Sequence, residues 1–80
     1  MKGKIALINQ KNGLAALITE YEEYTSFEPL NHDIELGDVI SGNLESLGSK
    51  TWLNETKHEH IDVFVEDIHG SKGTALNIIS

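Results

Sequence analysis

Apolar residues come in short runs along the chain, separated by glycine, asparagine, aspartate and lysine. Lys4–Ile8 reads as a strand carrying Ile5, Leu7 and Ile8. Asn12-Gly13 accepts positive φ and predicts a tight hairpin turn. The next run, LAALIT (14–19), is then the partner strand. Alanine and leucine favour helix, but six residues between a glycine and a β-branched end favour a strand. EYEEYTSFEP (20–29) carries the third strand, with Tyr24 and Phe27 as its aromatics and Pro29 marking the edge or end of pairing.

LNHDIELGD (30–38) reads as a loop, and VISGNLESLG (39–48) as a fourth strand bent or bulged at Gly42. The polar stretch SKTWLNETKHEH (49–60) predicts a long connection around Trp52. HIDVFVEDI (60–68) has the clearest alternation: Ile61, Val63 and Val65 on one face, Asp62, Phe64 and Glu66 on the other. Residues 71–80 fit a short helix capped by Ser71, with Ala75, Leu76 and Ile79 at helical spacing, or a sixth short strand. The expected architecture is a single mostly β domain over residues 1–80, a five-stranded barrel, closed or partly open, with that short helix or strand at its end.

Composition narrows the chemistry. Eighty residues support one thin core, and there is no cysteine for a disulfide or a thiolate metal site. No secretory segment and no run long enough for a membrane span is visible, so a cytoplasmic location is expected. Thirteen acidic residues face six basic ones, all lysine, for a net charge of −7. Such a field repels phosphate, and only a local lysine patch would offset it.

The opening Met1, Lys2, Gly3, Lys4, Ile5, then Asn9 and Gly13, resembles the start of the cold-shock domain. That family forms a five-stranded barrel of the oligonucleotide-binding type. EYTSF (23–27) resembles the family's Val-Phe-Val-His-Phe motif, with Tyr24 and Phe27 in its aromatic places, and LGDVISGNL (36–44) is similar to the stretch opening its fourth strand. The resemblance implies weak binding of single-stranded RNA or DNA through Lys2, Lys4, Lys11, Tyr24 and Phe27. Four stacking rings of the family are missing, however. Leu7 and Ile8 stand where it has an aromatic pair, and Asn12, Gly13, Leu14, Ala15 and Ala16 where it has Lys-Gly-Phe-Gly-Phe. Each stacked base contributes about 1–3 kcal/mol, so the loss outweighs what a few lysines restore at physiological salt.

A protein–protein role is therefore the alternative, with Trp52 and the strand Ile61–Ile68 as the contact, since exposed tryptophan is enriched at binding hot spots. Trp52 plugging one end of the barrel is the structural counter-reading. His58, His60 and Asp62 fall two residues apart and would share a strand face, a distant route to metal binding or pH sensing if His69 or His32 supplied a further ligand. Glu20, Glu22, Glu23 and Glu28 read as a solvated edge. No nucleophile–base pair or phosphate-cradling loop stands out, so no enzyme and no cofactor is expected.

Overall fold

A computed structural model describes residues 1–30 and 33–80. Asn31 and His32 lie outside the described residues, and with them part of the 30–38 loop reading and the reading of His32 as a further ligand. The described residues form six strands and one helix: β1 (Lys2–Asn9), β2 (Leu14–Thr19), β3 (Tyr24–Leu30), β4 (Val39–Ser41), β5 (Gly48–Asn54), β6 (Glu59–Gly70) and α1 (Lys72–Ile79). All strand pairs are antiparallel, and the sheet closes in the order β1-β2-β3-β6-β5-β4. The small all-β barrel expected from the sequence is present.

The barrel has six strands rather than five. SKTWLN, read as a polar connection, is β5, paired with β6 from Gly48↔Val65 to Asn54↔Glu59. The fourth strand ends after Ser41, where Gly42 adopts φ 139° and brings its backbone against the Trp52 ring. A β carbon at Gly42 would sit 3.1 Å from Trp52 Cδ1. Gly3 is a second close approach: a β carbon there would lie 2.8 Å from the Ile18 carbonyl oxygen and 2.9 Å from Leu17 Cδ1.

The interior is filled by Ile5, Ala15, Leu17, Phe27, Ile40, Leu44, Trp52, Ile61, Val63 and Val65. Phe27 and Trp52 meet edge to face, ring centroids 5.0 Å apart at 72°, the arrangement that the ring quadrupoles favour. The Trp52 Nε1–H donates to the Asn43 carbonyl at 2.8 Å, and the Thr25 hydroxyl to the Leu44 carbonyl at 2.9 Å. Those two bonds pin the 42–47 loop over one end of the barrel.

The last residues resolve as helix. The Ser71 hydroxyl accepts from Thr74 N at 3.2 Å, the expected N-cap. At the other end the Asn9 and Asn12 side-chain amides both donate to the Ile79 carbonyl, at 2.6 and 2.7 Å. The hairpin asparagines that shape the β1–β2 turn thus also satisfy a carbonyl that the helix itself leaves open.

Candidate functional site

Side-chain alternation decides which residues face water. On β3, Thr25 and Phe27 point inward, and Tyr24 and Ser26 outward. Phe27 is fully buried against Trp52. This corrects its assignment as a stacking residue: three positions separate it from Tyr24, and an odd separation puts the two rings on opposite faces of a strand. Trp52 is corrected likewise. It is 1 % exposed, so it plugs the barrel and offers no surface to a partner.

The outer face of β2 and β3 is covered. Ala16 and Ser26 pair across these strands with the parity opposite to the core residues Ala15, Leu17 and Phe27, yet both are fully buried. The element packed over this wall is α1, which touches β1, β2, β3 and β6 and buries Ala75 and Ile79. Small side chains at Ala16 and Ser26 make its seat. The Ser26 hydroxyl is the one buried side-chain polar atom among the described residues without a hydrogen-bond partner. The helix thus lies over position 16, where the resemblance would place a stacking ring, and over Ser26 across from it. Restoring a ring with Ala16→Phe should cost about 1–3 kcal/mol of overpacking. We expect the barrel to stay folded while α1 lifts, read as faster amide hydrogen exchange over Ala75–Ile79. Unchanged protection there would contradict the seating.

The remaining nucleic-acid candidates divide. Lys4 on β1 lies opposite Ile18, which lies opposite Tyr24, so Lys4 and Tyr24 share one outer row, flanked by Lys2. Carboxylates already occupy this row: Lys2 Nζ pairs with Glu55 at 3.2 Å, and its backbone N–H donates to Glu20 at 3.0 Å. The hydrogen bond from Ser41, then that from Lys2, holds the Glu55 carboxyl below the usual carboxylate range. Lys11 is exposed in the β1–β2 turn, at the opposite end of β1 from Lys2 and Lys4.

The opposite wall, β3–β6–β5, carries an unpartnered ring. On β6 the alternation holds as expected: Ile61, Val63 and Val65 are buried, Asp62, Phe64 and Glu66 exposed. Phe64 is 41 % exposed, with Glu28 across from it on β3, Ser49 across on β5, and Asp62 and Glu66 on either side along its own strand. Leu30 sits diagonally from it, opposite Asp62, and is 37 % exposed. The Thr51 hydroxyl donates to Asp62 at 2.8 Å and fixes that carboxylate. A shallow depression of about 340 Å³ between Leu30, Ser49, Lys50, Thr51, Asp62 and Val63 adjoins this ring.

The histidines do not gather where the spacing placed them. His60 and Asp62 are exposed on the outer face of β6, but His58 precedes that strand, in a turn with φ 56°. The histidine with ligand-bearing neighbours is His69, at the far end of β6. Its Nδ1 lies 3.0 Å from Glu23 Oε1 and 3.4 Å from Glu45 Oε2. The hydrogen bond to Glu23 raises the imidazole pKa above its ordinary value, against partial desolvation and with help from the charges of Glu23, Glu45 and Asp67. Chain separation hid this group: its members come from the β2–β3 turn, the 42–47 loop and the end of β6.

Comparison with protein-family models, curated proteins and solved structures finds no match. No described helix is long and apolar enough to cross a membrane.

Proposed function

We propose that this barrel is a non-catalytic protein-binding module that takes a basic, partly apolar segment of a partner across the β3–β6–β5 wall. The observation that carries the reading is Phe64, a ring left in water at the centre of Glu28, Asp62 and Glu66. An aromatic anchor inside a ring of like charge matches the hot-spot pattern of interfaces, and the three carboxylates complement lysine or arginine around an apolar contact. The net charge of −7 adds long-range attraction for such a partner. The strand named from the sequence as a contact, Ile61–Ile68, is the one that presents this ring; Trp52 has no part in it.

A labelled peptide alternating lysine and leucine, titrated by fluorescence anisotropy, tests the proposal. Phe64→Ser should weaken binding by about tenfold or more, the effect of losing one hot-spot anchor, and added salt should weaken it further. Equal binding by the variant would sink the reading. Single-stranded nucleic acid remains a second reading, favoured by the shared row of Lys4 and Tyr24. An oligonucleotide titrated in parallel at about 0.15 M salt separates the two. Tight binding abolished by Lys4→Ala/Tyr24→Ala would support nucleic acid and displace the protein-binding proposal.

A further inference from the structure

We propose that His69, Glu23 and Glu45 form a divalent transition-metal site, with zinc as its natural occupant, at the end of the barrel where Trp52 is capped by the 42–47 loop. One imidazole nitrogen and two carboxylate oxygens converge there from three separate segments, all within 4.8 Å of one another. Zinc binds such nitrogen and oxygen atoms at about 2.0–2.2 Å, which spaces tetrahedral neighbours about 3.3 Å apart. The Nδ1 to oxygen distances of 3.0 and 3.4 Å already match that spacing. Closure therefore asks for small side-chain rotations and no backbone rearrangement.

The three donors stand on anchored backbone. Around Glu23, the Thr19 N–H donates to its carbonyl at 2.8 Å and its own N–H donates to the Thr19 hydroxyl at 3.4 Å. Glu45 follows Leu44, whose side chain is fully buried and whose carbonyl accepts the Thr25 hydroxyl. His69 precedes Gly70, which pairs with Tyr24. Imidazole in the set favours zinc, cobalt or nickel over magnesium and calcium, which prefer all-oxygen ligands. Two carboxylates and one neutral imidazole leave the bound cation electrically balanced, with a coordination position open to water.

The cluster of His69, Glu23 and Glu45 shares no residue with the Phe64 surface. His58 and His60 sit at the opposite end of β6 from His69, so variants distinguish the two ends. Zinc chloride is titrated calorimetrically into the full chain at about pH 7.5, with cobalt in parallel for its visible absorption and magnesium as the control cation. One equivalent of zinc should bind, cobalt should develop a low-symmetry absorption band, and the melting temperature should rise with zinc and with cobalt but not with magnesium. His69→Gln, on an exposed side chain that leaves the core untouched, should weaken zinc binding by at least about tenfold and remove the thermal shift. Glu23→Gln and Glu45→Gln should each weaken it as well, while His58→Gln/His60→Gln should not. No saturable binding below millimolar zinc, or binding undiminished in His69→Gln, would overturn the site.

Discussion

Replacing Trp52 with alanine is expected to leave the chain largely unfolded at physiological temperature. The indole is the largest fully buried side chain, packed edge to face on Phe27 and bonded through Nε1 to the 42–47 loop. Truncating a buried tryptophan costs about 3–5 kcal/mol, and the aromatic pairing adds about 0.5–1.5 kcal/mol. A domain of this length has only about 4–12 kcal/mol in total. The loss also strands the Asn43 carbonyl and opens space beside Gly42, whose backbone conformation is shaped around the ring. Calorimetry or near-ultraviolet circular dichroism should show a melting temperature lower by roughly 15–30 °C. Trp52→Phe, which keeps a ring for Phe27 but not the N–H, should fall between. A drop of less than about 5 °C in the alanine variant would mean that the ring is not the keystone of the barrel interior.

That central tryptophan also shows where the sequence was readable and where it was not. β6 was legible because Ile61, Val63 and Val65 alternate with polar residues, a period of two that nothing else imitates. The β1–β2 hairpin was legible from Asn12-Gly13. β5 was not, since the residues sharing its inward parity are Gly48, Lys50, Trp52 and Asn54, only one of them apolar. Asn54 is buried by virtue of its hydrogen bonds, which no hydropathy pattern records. The covering of the β2–β3 wall was hidden for a related reason. Ala16 and Ser26 look like the outer positions of an open sheet, and their smallness has meaning only once α1 lies on them. The metal-site geometry depends on residues 23, 45 and 69 meeting, and no local spacing encodes such a meeting. Tyr24 and Phe27 are the opposite case: their separation of three already placed them on opposite faces.

Asp38→Ala should produce the second large loss, and the wild-type protein should mimic part of it in acid. Asp38 is 4 % exposed and joins three segments. Its Oδ2 accepts from the Asn54 amide at 2.9 Å and from the Glu35 N–H at 3.0 Å, with Lys57 Nζ at 3.5 Å. Its own carbonyl accepts the Ile5 N–H at 3.0 Å, beside the irregular register of β1. Burial pushes this carboxyl up, but the bonds from Asn54 and Glu35 and the Lys57 charge together outweigh it and hold the pKa below the ordinary value. The charged form is thus favoured more in the folded chain than in the unfolded one. Its stabilisation is complete above the unfolded value of about 3.9 and is lost as pH falls through the lower folded value. Removing the side chain orphans a buried amide and a backbone N–H, and hydrogen bonds to a charged group are worth about 1.5–3 kcal/mol. We therefore expect Asp38→Ala to destabilise the barrel by about 2–3 kcal/mol near neutrality. Denaturant unfolding from pH 7 down to about pH 2 should show the gap between variant and wild type narrowing only below about pH 4. A gap that is small at pH 7, or constant throughout acidification, would refute the role given to this carboxylate.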